Sequence, residues 1–337
     1  IEIILTFFSP SGYEVQKNYA QADWVGYIPK DNYNLALQFI QQINPDKVIF
    51  VKYEFWLNHL QVCFDLQIPV VFFSVIFRTN HIYFGIARML YEKYFRSVSK
   101  FFVQDQKSAD LLQELGVRHV VVVGDTRFDR VATIAEHAES QPLIERFIQQ
   151  DQVWVMGSIW PADIDILRPY ILKESSKHTQ FILAPHNTSR DSIDYFKKCF
   201  PEALSYSQIL ENTDLKEVSI LILDSIGLLS TTYKYATYAY IGGAFGAGLH
   251  NTIEATVYGI PVFFGRSPKN LKFRECKDLI VEGAAFEFSN LSDFMSCLEP
   301  LNSDHSNYQK AANAAFAFTR SRQGATKRIV TYLTKRA

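Results

Sequence analysis

The stretch that decides the reading of this chain is Tyr240–Phe264, YIGGAFGAGLHNTIEATVYGIPVFF. Tyr240 and Ile241 close an apolar run. Gly242, Gly243, Gly246 and Gly248 follow, and His250-Asn251-Thr252 stand where a helix is expected to begin. Glycines let backbone approach a ligand closely, and the first free N–H groups of a helix attract anions. Glu254 falls in the first turn, where a carboxylate can accept a pair of ribose hydroxyls. Gly259-Ile260-Pro261 ends the helix and feeds Val262-Phe263-Phe264, a second buried strand. The window predicts a nucleotide-phosphate site; an ordinary tight turn between strand and helix is the plain alternative.

Outward from this window, short β-branched or aromatic runs recur with helical stretches between them. Ile3–Phe8, Lys47–Val51, Val70–Val75, Lys100–Val103 and Val120–Val123 form a first series. Val153–Met156, Gln180–Leu183, Ser219–Leu223, Tyr238–Ile241, Val262–Phe264 and Ala284–Phe288 form a second. Strands buried on both faces and alternating with helices are the pattern of a parallel sheet. Asn32–Ile43 and Asp105–Leu115 read as helices, the second stopped by Gly116. The polar stretch Arg130–Gln152 reads as a linker, and Tyr308–Lys335 as one or two closing helices. The expected fold is therefore α/β, with two doubly wound Rossmann-like domains facing a cleft, divided as 1–140 and 141–337. Ligands of such sheets sit beyond the strand C-terminal ends.

Composition agrees with a folded globular chain. The 337 residues are 48% hydrophobic and 20% charged, enough for two cores at about 150 residues per domain. A net charge of -1 argues against a nucleic-acid partner. The cysteines Cys63, Cys199, Cys276 and Cys297 show no paired spacing, so neither a disulfide framework nor zinc is indicated. No apolar run reaches the roughly 18 residues of a spanning helix. The 27 Phe and 18 Tyr suit contact with a lipid-bearing partner, or reflect compositional bias.

Other loops at strand ends carry candidate ligand contacts. Gly157-Ser158 offers a hydroxyl and free N–H groups at a strand-to-helix turn, or simply a capping serine. Pro185-His186-Asn187 follows the next strand, with a surface histidine of no role as the alternative. Asp224-Ser225-Ile226-Gly227 can present backbone to a nucleobase edge, or cap a helix. In the first domain Ser9–Gly12, Lys52–Asn58 and Ser74–Arg78 end successive strands, and Arg127 stands at the domain junction. Phe72–Phe84, with Arg78 and His81, is the candidate acceptor side; a buried strand leading into an amphipathic helix is the other reading.

These segments together resemble the Kdo (3-deoxy-D-manno-octulosonic acid) transferases of lipopolysaccharide biosynthesis. The residues carrying the resemblance are SPSGYE (Ser9–Glu14), YEFWLN (Tyr53–Asn58), VQDQKSADLLQELGV (Val103–Val117), GDTRFD (Gly124–Asp129), APHN, DSIGLL and the glycine-rich window. The resemblance implies a GT-B glycosyltransferase that moves Kdo, with inversion and without a metal or other cofactor, from CMP-Kdo to a lipid A precursor. The implied location is the cytoplasmic face of the inner membrane. By position it places Pro185 and His186 near the base, Ile226 and Gly227 by the cytosine, and Glu254 on the ribose. Gly248, Asn251 and Thr252 would hold the phosphate, with Ser158 at the Gly-Ser turn and Arg127 as the charge-stabilising catalytic group. Ser11, Gly12, Glu54 and Arg78 would face the acceptor. The family's base, a glutamate in a Ser-x-Gly-Glu motif, is expected upstream of Ile1, together with a first strand and a membrane anchor. The chain as given is therefore expected to bind CMP and to transfer little Kdo. Other GT-B enzymes (an epimerase or a UDP-sugar transferase) and a non-catalytic nucleotide- or glycan-binding relative are the alternatives.

Overall fold

A computed structural model describes residues 1–175 and 177–334 and divides them into two compact units. The second, Thr126–Gln323, is built on seven parallel strands: β7 (Gln152–Ile159), β8 (Thr179–Pro185), β9 (Leu204–Ser205), β10 (Ile220–Ile222), β11 (Tyr238–Ile241), β12 (Val262–Gly265) and β13 (Ala285–Phe288). Their spatial order is β13-β12-β11-β7-β8-β10-β9. The chain starts in the middle at β7, winds one way through β8 to β10, then crosses back to β11 and winds the other way. That reversal creates a topological switch point between β7 and β11, where the covering helices diverge and leave a crevice.

Side-chain alternation fills both faces of this sheet. Val153, Val155, Ala239, Ile241, Val262 and Phe264 join one core, while Trp154, Met156, Tyr238, Tyr240 and Phe263 join the other. Near-continuous apolar strands are what two-sided burial requires. Helices Thr126–Glu136 and Pro142–Phe147 contribute Phe128, Val131, Ile144 and Phe147 to the first of these cores. The stretch expected as a linker is thus part of the second unit, because its apolar side chains lie at helical spacing and are buried.

The first unit, Ile1–Asp125 with the chain from Gly324 onward, holds two parallel sheets. β1 (Ile4–Phe7) pairs with β2 (Trp24–Tyr27), and β3 (Val48–Val51), β4 (Val70–Val75), β5 (Lys100–Val103) and β6 (Val120–Val122) pair in sequence order. β2 and β9 escaped the sequence reading, since four residues with a central Gly26 and two residues at an edge carry little period-two signal. β1 has no fully buried residue, which leaves the β1–β2 ribbon without the buried faces of its neighbour sheet.

Helix Tyr33–Ile43 is capped by the Asn32 side chain, and helix Gln106–Glu114 by Asp105, which accepts from Ser108 N. Phe50, Phe55, Phe72, Phe77, Phe95 and Phe101 form the core on one face of the four-stranded sheet. On the other face Val71, Phe102 and Val123 are covered by Ala325 and Ile329 of the last helix, Ala325–Thr334. Phe102 meets the Tyr332 ring edge-on at 5.3 Å, and Lys47 Nζ donates to Leu333 O at 3.0 Å. The expected boundary at 140 therefore moves to 125, and the end of the chain returns to the first unit to cover an otherwise bare sheet face. The closing segment is two helices, His305–Ser321 and Ala325–Thr334; Lys335 lies outside the described residues. Among those residues no helix is long and apolar enough to cross a membrane.

Truncating Ile329 to Ala is expected to cost about 2–4 kcal/mol, as for other buried aliphatic side chains. Hydrogen exchange would check the assignment: protection should fall in β4 and β5 of the first unit while β7 and β11 keep theirs.

Candidate functional site

The crevice at the switch point is organised by one carboxylate. β7 ends in Gly157-Ser158-Ile159, where Ser158 takes a left-handed conformation (φ 53°) and the register against β8 shifts. The Gly-Ser pair is thus a bulge inside the strand rather than a turn after it. Helix Pro161–Ser175 follows, and Asp163 in its first turn is fully buried. Asp163 Oδ2 accepts from Trp160 N (2.8 Å) and from Gly243 N (3.0 Å), and Oδ1 accepts from the Tyr240 hydroxyl (2.6 Å). Burial pushes this carboxyl above its ordinary pKa against the pull of those three donors. The end of β7 and the glycine loop after β11 are held together through that single side chain. Gly242 makes the approach possible: a Cβ there would lie 2.6 Å from Ile159 Cα and 2.8 Å from Asp163 Oδ2.

A cavity of about 490 Å³ opens beside this junction, lined by Ser158, Trp160, Pro185, His186, Ser225, Ile226 and Gly227 among others. It brings together five of the residues assigned to the donor. The His186 ring stacks on Trp160 (centroids 4.3 Å apart, 19° between planes) and on His250 (4.5 Å, 27°). Trp160 Nε1–H donates to His250 Nε2 at 3.3 Å. An indole nitrogen only donates, so His250 Nε2 carries no proton in this arrangement. Burial, and then the neighbouring His186, lower the His250 pKa and favour the same neutral form. Across the opening Ile226 is 88% exposed and Gly227 has a positive φ of 93° with nothing within 4 Å of a built Cβ. Asp224 does not cap a helix there; it accepts from Ser207 N (2.9 Å) and Ser207 Oγ (2.5 Å).

The glycine-rich loop divides into two kinds of glycine. Gly242 and Gly243 are packed against the chain itself, Gly243 with φ 96° and a His250 carbon 3.0 Å from its missing Cβ. Gly246 and Gly248 face open space, so backbone there is accessible to a ligand. Lys269 Nζ donates to Gly246 O at 2.6 Å and ties down the loop. The helix expected from His250 onward is one turn only, Ile253–Thr256, and neither Asn251 nor Thr252 caps it in the usual way. Asn251 instead donates through Nδ2 to Glu254 Oε1 (2.9 Å). So short a helix has little macrodipole, because aligned peptide dipoles must accumulate over several turns.

Burial raises the Glu254 pKa; the Asn251 hydrogen bond and the charge of Arg130 oppose it. Arg127 Nη2 forms an ion pair with Glu275 Oε1 at 2.9 Å, so its charge is already partnered within the unit. In the first unit Ser11 and Gly12 lie inside helix Pro10–Gln16 rather than on a loop, and Ser11 Oγ is 2.7 Å from Ser9 Oγ. Glu54 Oε2 accepts from Trp56 Nε1 at 2.7 Å. The charge of Arg78 lowers the pKa of His81, after the larger effect of burial. Phe72 and Phe77 of the proposed acceptor stretch are core residues.

Sequence reasoning missed Asp163, Trp160 and the pairing role of His250. The signal for Asp163 was a capping pattern, an acid at the third helical position after Pro161. Its bonds to Gly243 and Tyr240 join residues about 80 positions apart, and no local pattern reports those.

The fold is that of GT-B enzymes. UDP-GlcNAc 2-epimerase from Neisseria meningitidis bound to UDP-GlcNAc superposes with a TM-score of 0.68 at 14% identity, over 99% of this chain and 92% of that one; the likeness is one of fold. Residues 1–130 match the family described as 3-deoxy-D-manno-octulosonic-acid transferase (kdotransferase). The chain is 25% identical to that transferase from Aquifex aeolicus over 304 residues, 89% of this chain and 78% of the relative. It is 24% identical to the one from Chlamydophila psittaci over 245 residues, 71% of this chain and 56% of the relative. The chain is similar to the Kdo transferases over most of its length, and the resemblance read from its motifs is borne out.

Three outcomes follow for the site. Gly242→Ala is expected to destabilise the protein by more than 1 kcal/mol, an overpacking cost. Gly246→Ala should leave the melting temperature unchanged and weaken CMP binding about tenfold if the loop approaches the phosphate. Calorimetric titration beside a thermal melt separates the two. Because Glu254 has a raised pKa, its carboxylate is lost on acidification at a higher pH than a free glutamate loses its own. If a nucleotide's hydroxyls donate to that carboxylate, its affinity should fall as pH drops through that range, and Glu254→Gln should flatten the profile.

Proposed function

We propose that the protein is an inverting glycosyltransferase that moves Kdo from CMP-Kdo to a lipid A precursor at the cytoplasmic face of the inner membrane. The observation that carries this reading is the cavity at the switch point, where Ser158, Pro185, His186, Ile226 and Gly227 meet beside an open glycine loop. In the proposal the cytosine lies against the face of His186 turned away from Trp160 and His250, with Ile226 and the Gly227 backbone along its edge. The ribose hydroxyls donate to Glu254. The phosphate sits at Gly246–Gly248 and takes the Ala247 N–H, since the Gly246 and Gly248 N–H groups donate to Gly243 O (3.1 and 2.8 Å) and hold the loop in shape.

The acceptor hydroxyl gives its proton to a general base that none of the residues assigned here supplies and attacks the anomeric carbon of Kdo as the bond to the CMP oxygen breaks on the opposite face, which inverts the centre. Arg127, ion-paired with Glu275, is assigned to stabilise charge on the leaving phosphate. Asp163 holds the two loops in register but touches no reacting atom. Ser11, Gly12, Glu54 and Arg78 on the first unit are assigned to the acceptor. No cofactor beyond the donor is assigned.

Isothermal titration with CMP, UDP and GDP tests the reading. CMP should bind tightest, and His186→Ala and Ile226→Asp should each weaken it about tenfold, or 1.4 kcal/mol. Equal affinity for UDP, or no change in both variants, overturns the assignment of the donor.

A further inference from the structure

One edge of the His250 ring has no partner in the fold. The residue stands half-buried in the loop between β11 and the single turn Ile253–Thr256, with one ring face against His186. Its Nε2 accepts from Trp160 Nε1–H at 3.3 Å, and its Cδ2 lies 3.0 Å from where a Gly243 Cβ would stand. In a five-membered ring Nδ1 is the atom opposite the Cδ2–Nε2 bond. It therefore points away from both Trp160 and Gly243, and among the described residues it has no hydrogen-bond partner. With Nε2 engaged as an acceptor, the proton of a neutral imidazole resides on Nδ1. The other tautomer and the imidazolium would each set an Nε2–H against the indole N–H.

We propose that Trp160 is a positioning residue that holds His250 with its proton on Nδ1, and that this N–H donates to an oxyanion, the phosphate of a bound nucleotide. The choice of acceptor rests on the function proposed above, which puts the phosphate at Gly246–Gly248, two residues before His250. The tautomer is a property of the free protein, so either reading can fail alone. A donor fixed before the ligand arrives needs no reorganisation as charge grows on the leaving oxygen. His250 keeps its proton throughout and is not a general acid. Asp163 stands behind both contacts of the ring, since its Oδ2 accepts from Trp160 N and from Gly243 N. The Trp160 indole is further held by its stack on His186.

Nitrogen-15 NMR of the histidine-labelled protein reads the tautomer without any ligand, with His250 assigned by the signal lost in His250→Asn. The wild type should show a protonated Nδ1 and a bare Nε2. Trp160→Phe keeps an aromatic ring at that position and removes the indole N–H. It should move His250 toward the Nε2–H form that a free histidine side chain prefers. Calorimetric titration reads the acceptor. His250→Gln should weaken CMP binding about tenfold and leave cytidine binding unchanged. His250→Asn, whose amide nitrogen stands at the Nδ1 position, should regain most of that loss, whereas Gln presents its nitrogen at the Nε2 position. A stacking role alone would be lost equally in both variants. An Nε2–H signal in the wild type, equal losses for cytidine and CMP, or Asn no better than Gln overturns the inference. Absence of CMP binding in a wild type that shows the Nδ1–H signal overturns the donor reading instead.

Discussion

Asp163 is a fully buried carboxylate bonded to Trp160 N, Gly243 N and the Tyr240 hydroxyl, and the geometry of the candidate site depends on it. A buried carboxylate is tolerated only when its lone pairs are occupied, and each such charge-assisted bond contributes about 1.5–3 kcal/mol relative to an unmet donor. Two of the three donors are backbone groups on separate loops, so satisfying the charge fixes both loops at once. Trp160 and the glycine loop then stand where the Trp160 indole can reach His250, and His186 closes over the pair.

The sheet explains why the site forms at that place. β7 and β11 are neighbours in space, although β8, β9 and β10 separate them along the chain. The loops that leave their C-terminal ends must diverge to opposite faces, because both faces need a covering helix layer. Gly157, Gly242 and Gly243 let those diverging loops touch the sheet and one another. Gly248 (φ 116°) and Gly227 (φ 93°) have open space but a left-handed backbone that itself favours glycine, whereas Gly246 has neither a close neighbour nor a positive φ. Of these three, Gly246 is the glycine whose missing side chain the fold does not explain.

Charge around the site is local and mostly partnered. Arg127 is bound by Glu275, Lys269 by a loop carbonyl, and Glu254 by Asn251. An anion arriving at this loop would meet a turn closed by the Gly246 and Gly248 N–H groups on Gly243 O rather than a strong helix dipole, since the helix beyond it is a single turn. The helix expected between His250 and Gly259 is shorter than that, Ile253–Thr256, while its end at Gly259-Ile260-Pro261 and the entry into β12 are as the sequence implied.

The sequence by itself determined the parallel strands and the order of the two β/α series. Two-sided burial writes continuous apolar runs such as Val70–Val75 and Tyr238–Ile241, and these are legible without a fold. It also placed His186, Ile226 and Gly227 at strand ends, where they are exposed, whereas Pro185, expected on the same loop as His186, is the buried last residue of β8. Only the tertiary structure decided that helix Ala325–Thr334 belongs to the first unit, because the bare face it covers, Val71 and Phe102, lies more than 200 residues earlier. The same holds for Asp163, whose role rests on partners distant in sequence. Local spacing reports which residues share a strand or a helix face, while a buried charge chooses its partners from whatever the sheet order brings within hydrogen-bond reach.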